Sequence, residues 1–224
     1  MADNAAALLL LADGRLPAGG YAHSGGLEAT IRAGRVHDAD SLEKFLTGRA
    51  VTAGLVAGAF AAAACHSSTK GDQVLLQELD PELDARIPSP ALRAVSRSLG
   101  RQLLRAATAI RPHPRFHELD RTAHQPIVFG VAAAAFDLAP RDAALAVLHE
   151  AVAGPAVAAV KLLSLDPFSA HAALARLTPL LDQLASEAAK HADTAPADLP
   201  SAGAPLLDIA AEHHAATDMR LFAS

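Results

Sequence analysis

The densest group of residues that could carry out chemistry lies between Asp13 and Glu28, in a stretch rich in glycine. Within it, Ala22-His23-Ser24-Gly25-Gly26 resembles the G-x-S-x-G turn that presents the nucleophilic serine of α/β-hydrolases. That turn has glycine where Ala22 stands and follows a β-strand, which this sequence does not predict. A small helical hydrolase that uses Ser24 as nucleophile and His23 as base therefore stays as the alternative hypothesis.

The same stretch also resembles a phosphate-binding loop, because Gly14 and Gly19 have the required spacing. Gly20 and Tyr21 stand where that loop needs Lys followed by Ser or Thr, so the phosphate charge would have no counter-ion. The simpler interpretation is a glycine-rich turn in which Ser24 caps the next helix.

Histidine and cysteine spacing does not indicate a metal site. His213 and His214 are neighbours, and adjacent residues of a helix point about 100° apart, so the two cannot easily share one ion. Cys65 is the only cysteine, which excludes an internal disulfide, and it has no second ligand pair at zinc-like spacing. We predict no resident metal and no stably bound cofactor.

Composition indicates which elements must position these residues. Aromatic residues make up 4% of the chain and Trp is absent, while alanine is abundant, which favours helix over sheet. The net charge is -5 and the 19 basic residues are scattered, which argues against nucleic acid as a partner. The longest apolar stretch, Ala53 to Cys65, is too short to span a bilayer, and no secretory signal is evident. We expect a cytoplasmic protein that does not bind membranes.

Helix-start signals recur along the chain. Asp40-Ser41-Leu42-Glu43 has the form of a capping box, and Ser89-Pro90 and Asp166-Pro167 each pair a capping oxygen with a proline at the first helical position. We predict an all-α, single-domain helical bundle of about ten helices. The predicted helices are 4–12, 24–34, 41–66, 72–86, 90–110, 126–137, 140–165, 167–192 and 204–216.

Proline and glycine suggest how this domain is divided. Pro81, Pro155 and Pro179 lie inside helical patterns and are expected to kink or split them, because each removes one backbone donor. The stretch 193–204 lacks an apolar period and is predicted to be a linker. The expected organisation is a helical body at 1–192, this linker, and a C-terminal helix with a flexible docking tail at 205–224, all within one domain.

Several segments together resemble the UreF family of urease accessory proteins, and most closely its actinobacterial branch. They follow the family's order from the N-terminal aspartate, proline-x-glycine and His-Ser-x-Gly-Leu-Glu pattern to the terminal Arg-Leu-Phe-x-Ser. Gly14, Gly25 and Leu99 depart from it, standing where the family usually has Ser, Gln and Gln. The family-signature residues are Asp13, Pro17, Gly19, Ser24, Gly26, Leu27, Glu28, Arg93, Ser96, Gly100, His124 and Gly130.

The resemblance implies a non-catalytic, dimerising scaffold that binds UreD (also called UreH), recruits the GTPase UreG and delivers nickel to apo-urease. Nickel is then expected to pass through the complex as cargo. Direct nickel storage on histidines is a further alternative, which predicts stoichiometric metal binding by the isolated chain. The candidate partner-binding residues are Tyr21, His23, Lys161, Arg220, Leu221 and Phe222.

Overall fold

The structure is a computed structural model that describes residues 4–217 and 221–222, and within those residues it contains helices and no strands. The predicted all-α, single-domain fold is confirmed. Three short 3-10 turns lie at Gly20–Ala22, Pro114–Glu118 and Pro196–Asp198. The α-helices are α1 (Ala5–Leu11), α2 (Leu27–Arg32), α3 (Ala39–Arg49), α4 (Leu55–Lys70), α5 (Gln73–Ala85), α6 (Pro90–Ile110), α7 (Gln125–Ala135), α8 (Pro140–Leu162), α9 (Pro167–Ala189) and α10 (Pro205–Ala215).

Helix α4 forms the centre of the core and packs against α5, α7, α8 and α9. Its side chains from Ala59 to Cys65 are all completely buried, and most are alanine. Small residues let neighbouring backbones approach closely: a Cβ added at Gly130 of α7 would lie 2.7 Å from the Cβ of Ala64. The core therefore depends on close contact between helix backbones as well as on large side chains.

Helices α3 and α4 form one continuous helix from Ala39 to Lys70, because the π-helical segment Ala50–Gly54 joins them. This helix is longer than the predicted 41–66. It and α8 are long and apolar enough to cross a membrane by length and composition. Their apolar windows are 67% and 56% buried inside the protein, as expected for core helices.

Two of the three predicted helix starts are confirmed. Ser89 accepts a hydrogen bond from the backbone N–H of Leu92 at 3.2 Å, and Asp166 accepts one from that of Ser169 at 3.2 Å. The capping box predicted at Asp40 is wrong. Asp38 is the N-cap of α3 and accepts from the Ser41 N–H at 2.8 Å, because its extended backbone turns the side chain toward the first helical turn.

The prolines were expected to kink or split their helices. The expected split is wrong, while the kink stays a prediction. Helix α5 continues through Pro81, α8 through Pro155 and α9 through Pro179. A proline removes one backbone donor but leaves the other hydrogen bonds of the helix intact. Packing of these helices against α4 is sufficient to maintain them.

The segment predicted as a linker, 193–204, is attached to the body by Arg86. The Arg86 guanidinium donates hydrogen bonds of 2.9 to 3.1 Å to four backbone carbonyls within residues 196–200. The same guanidinium lies 5.2 Å from the ring centroid of Phe60, and Leu199 is buried in the core. This segment therefore has a defined position that places α10 against the body.

Candidate functional site

A cavity of about 650 Å³ lies between the N-terminal loop, the joined helix α3–α4, α6, α7 and α8. It brings together four of the candidate partner-binding residues, because Tyr21, His23, Lys161 and Phe222 all line it. Leu221 is the chain neighbour of Phe222, whereas Arg220 lies outside the described residues. Residues that are far apart in the sequence are thus grouped at one place on the molecule.

The rim of this cavity exposes large apolar side chains. Tyr21 is 73% exposed, Leu221 77% and Val157 53%, and the exposed Lys161 adds a positive charge. Phe222 is half-buried and packs against the core that surrounds α8 and α9. An exposed apolar rim is typical of a protein-binding surface. Tyr21, Val157, Lys161 and Phe222, together with Leu221 beside Phe222, form what we call the rim surface.

Polar side chains line the interior of the cavity. Arg49 donates from Nε to the backbone carbonyl of Ala151 at 2.8 Å, and Gln125 donates from Nε2 to Oε1 of Glu150 at 2.9 Å. Burial lowers the pKa of Arg49 to about 10, against the attraction of Glu150. Burial also raises the pKa of Glu150, against the effects of Gln125 and Arg49. The charged forms of both groups are therefore disfavoured by limited access to water.

The C-terminal tail is held on the body by Glu28, a family-signature residue. The two carboxylate oxygens of Glu28 accept hydrogen bonds from the backbone N–H groups of Leu221 at 3.1 Å and Phe222 at 3.0 Å. Arg32 pairs with the same carboxylate at 2.7 Å, and Glu28 is 2% exposed. His214 Nε2 lies 3.3 Å from the carbonyl oxygen of Phe222. In the described residues, the tail predicted to dock on a partner is in contact with its own body.

Ser24 is completely buried, which argues against the hydrolase hypothesis. Its Oγ accepts a hydrogen bond from the backbone N–H of Glu28 at 3.3 Å. The N-cap of α2 is Gly26, which has a left-handed backbone with φ of 87°, so Ser24 supports the first turn without being the cap. Burial lowers the pKa of the neighbouring His23. A nucleophile must be reached by its substrate, and Ser24 Oγ has no exposed surface.

The remaining signature residues of the N-terminal loop shape it. Asp13 binds the Arg15 guanidinium at 2.8 Å, and these hydrogen bonds lower the pKa of Asp13 to about 2. Pro17 is exposed, Gly19 has a left-handed backbone with φ of 84°, and Leu27 is completely buried. The loop is therefore closely packed against the body at its glycines and at its end.

The signature residues Ser96 and His124 belong to a partly buried polar network that joins α5, α6 and the start of α7. His124 is completely buried, with Nδ1 3.0 Å from Ser96 Oγ and Nε2 3.1 Å from Asp84 Oδ1. Arg97 bridges Asp80 at 3.0 Å and Asp84 at 2.7 Å. Burial is the largest cause that lowers the pKa of His124. This network joins three helices and does not line the cavity.

The other signature positions set distances between backbones. A Cβ at Gly100 would lie 3.0 Å from the backbone nitrogen of Gln125 and would clash with the carbonyl of Ala123. Gly130 has the corresponding role between α7 and α4. Arg93 donates to the carbonyl of Ile87 at 2.7 Å and so closes the turn before α6. These residues stabilise the fold that carries the rim surface.

The His, Cys, Asp and Glu side chains of the described residues do not gather into a metal site. Residues 4–217 and 221–222 contain no group of three or more His, Cys, Asp or Glu side chains that could hold an ion. His213 is exposed while His214 is buried, so the pair does not face one site. Burial raises the pKa of the Cys65 thiol to about 12, which disfavours the thiolate that metals bind. The absence of a resident metal stays a prediction.

A family profile and individual relatives both match this chain and carry the same name. The sequence profile of the family described as UreF matches residues 36–178, which is more than half of the chain. The urease accessory protein UreF of Mycolicibacterium vanbaalenii is 42% identical over 219 residues, covering 98% of each chain. The protein of the same name from Mycobacterium sp. strain JLS is 41% identical over 97% of each chain, and that from Mycobacterium tuberculosis strain H37Rv is 39% identical over 98% of each.

Proposed function

Because this chain belongs to the UreF family of urease accessory proteins, we propose that it is a chaperone for the insertion of nickel into apo-urease. Membership in a family of accessory proteins assigns the chain a role in urease maturation that is not catalytic. In this proposal the chain binds UreD (UreH), recruits the GTPase UreG and acts in the cytoplasm as a homodimer. Nickel is cargo of the complex and has no resident site in this chain.

The observation that carries the proposal is the rim surface. Tyr21 from the N-terminal signature and Leu221 from the C-terminal motif are both more than 70% exposed. Tyr21 lines the cavity, as does Phe222, the chain neighbour of Leu221. Exposed apolar side chains that are grouped at one place, unlike single scattered ones, mark a site for a protein partner. Aromatic residues are especially enriched at the centres of such interfaces.

The way in which the tail is held supports the same role. The two N–H groups at 221 and 222 bind the buried carboxylate of Glu28, so the side chain of Leu221 is presented outward from a fixed backbone. A fixed anchor residue loses less conformational entropy when a partner binds. We therefore assign UreD to the rim surface.

The homodimer is proposed from the family alone. The small-residue helix α4 could have allowed close approach of two copies, but its small face is buried within the core. That face consequently offers no support for self-association, and the dimer interface must lie on another surface.

The proposal is tested by size-exclusion chromatography of the purified chain with UreD, followed by addition of UreG and GTP. We expect the chain to co-elute with UreD and then with UreG. Leu221→Asp and Tyr21→Ser should each weaken co-elution with UreD at least tenfold, because each removes an apolar contact at the centre of the interface. A chain that elutes alone beside folded UreD would refute the scaffold role.

Val74→Asp is the matched control for these variants. Val74 is 68% exposed, lies on α5 and does not line the cavity. We expect this variant to co-elute with UreD as the wild type does. Loss of binding in Val74→Asp would show that the assay responds to surface charge in general.

Equilibrium dialysis of the isolated chain with nickel distinguishes the proposed scaffold from a nickel-storage protein. Storage requires that the isolated chain retains the ion stoichiometrically.

A further inference from the structure

Three polar side chains of the body lie directly under three glycines of the N-terminal loop. A Cβ added at Gly20 would lie 2.7 Å from Glu150 Oε1, and one added at Gly25 would lie 3.2 Å from Arg49 Cζ. A Cβ at Gly19 would lie 2.8 Å from the amide carbon of Gln102. The loop therefore rests on side chains from α3, α6 and α8, and glycine is what allows it to come so close.

At Gly20, the contact with Glu150 can be tested by substitution without straining the backbone. Gly19 and Gly25 have positive φ angles of 84° and 60°, so any side chain there would be strained whatever the space. The backbone of Gly20 is not in the left-handed region, and the residue begins the 3-10 turn Gly20–Ala22. An alanine at Gly20 would consequently report on the contact with Glu150 and not on the backbone conformation.

The carboxylate of Glu150 is held by other side chains of the body. Gln125 donates to Oε1, the atom that meets Gly20, at 2.9 Å. Arg49 attracts the carboxylate, and Arg49 itself is fixed by its hydrogen bond to the carbonyl of Ala151. Glu150 therefore cannot move away from the loop without breaking its hydrogen bond with Gln125.

We propose that Glu150 is a positioning residue which, together with Gln102 and Arg49, fixes the loop that presents Tyr21 to the partner. Tyr21 follows Gly20 directly, and 73% of its surface is exposed. This inference rests on the proposed function, because the presented side chain belongs to the rim surface assigned to UreD.

The chain contains one tyrosine and no tryptophan, so its tyrosine fluorescence reports on Tyr21 alone. We expect Glu150→Ala to lower the fluorescence anisotropy of Tyr21 in the isolated protein, because the loop loses its support. Glu150→Gln should preserve the anisotropy, because an amide oxygen can occupy the same position and accept from Gln125. Gly48→Ala is the control, since a Cβ at Gly48 meets nothing within 4 Å.

Binding to UreD is the second readout. Gly20→Ala should weaken the affinity about tenfold with no change in melting temperature. Glu150→Ala should also weaken the affinity, whereas Glu150→Gln should bind UreD as the wild type does. The proposal is overturned if Glu150→Ala leaves both anisotropy and affinity unchanged. It is also overturned if the loss of affinity in Gly20→Ala follows a loss of melting temperature.

The two proposals fail in different ways. If wild-type protein does not bind UreD, the proposed function is refuted, while the anisotropy series on the isolated chain still tests whether Glu150 fixes Tyr21. If wild-type protein binds UreD but the anisotropy does not respond to Glu150→Ala, only the positioning role is refuted.

Discussion

The backbone N–H of Phe222 donates a hydrogen bond of 3.0 Å to Oε2 of Glu28, although 194 residues separate the two in the chain. The acceptor is a carboxylate that is almost completely buried, and hydrogen bonds to charged groups are stronger than those between neutral groups. The N-terminal signature thus determines where the C-terminal motif lies. Both contribute to a single surface.

Glu28→Gln should release the tail. The substitution preserves the shape of the side chain but leaves one acceptor oxygen where the tail uses two, and it removes the charge. Hydrogen bonds to charged groups contribute about 1.5–3 kcal/mol each, so amide exchange at residues 221–222 should accelerate at least tenfold. Hydrogen exchange with mass spectrometry measures this effect. Glu43→Gln, which alters an exposed pair with Arg176, is the control and should leave the tail protected.

Gly130→Ala should strongly destabilise the fold. The added Cβ would lie 2.7 Å from the Cβ of Ala64 and 2.8 Å from the nitrogen of Cys65, so α7 and α4 must move apart. Such overpacking typically costs about 1–3 kcal/mol, and we expect the upper end because backbone atoms are involved. Urea unfolding measures the loss.

Gly48→Ala should have the opposite effect on stability. Gly48 lies inside α3 with open space around it, and alanine is favoured over glycine in a helix by about 0.5–1 kcal/mol. The free energy of unfolding should rise by that amount in the same urea titration. A loss of stability would mean that the environment of Gly48 is more crowded than the structure indicates.

The stability of the protein should fall on acidification, in part through His124. Burial lowers the pKa of native His124 below 6.5, so the unfolded chain binds this proton at a higher pH than the native protein does. Stability is therefore lost as pH falls below about 6.5, and the loss levels off below the native pKa. Urea unfolding at pH 7.5 and 5.5 should show a smaller pH effect in His124→Gln than in the wild type.

The control for this prediction is internal to the chain. Burial also lowers the pKa of His23 and His149, and both residues are present in wild type and variant. The difference between the two proteins therefore isolates His124. An equal pH effect in both would contradict a role for His124 in the acid response.

Arg86→Lys should open the segment 193–204. A lysine keeps the charge but cannot replace a planar guanidinium that binds four carbonyls within residues 196–200. Limited proteolysis should then cut within this segment at least tenfold faster than in the wild type. Arg105→Lys on the exposed side of α6 is the control and should leave the cleavage pattern unchanged.

The sequence predicted helices well where local signals were unambiguous. Helix α6 has the predicted bounds 90–110, because Ser89-Pro90 defines its start and a regular apolar stripe defines its length. The start of α3 was predicted wrongly, since Asp38 and Asp40 both stand three residues before a polar side chain. The choice between them depends on the backbone conformation at Asp38, which the residue types do not encode.

Contacts between distant parts of the chain were beyond such reasoning. Glu28 was recognised as a signature residue, but its bond to Phe222 depends on how α10 returns to α2. No sequence pattern predicts the hydrogen bonds of Arg86, because its acceptors are backbone carbonyls about 110 residues away. Glu150 was likewise missed, since its neighbour Gly20 lies in another element. Gly19, Gly20 and Gly25 were the one feature of the sequence that indicated close contact between the loop and side chains of the body.

The great distance in sequence between Glu28 and Phe222 also has a consequence for the order of folding. Closing a loop of this length costs conformational entropy that is recovered only when the body between the two residues is already compact. The contact should therefore be among the last to form. A chain that is still folding would then lack the complete rim surface. If the proposed partner binds there, it would select finished molecules over immature ones.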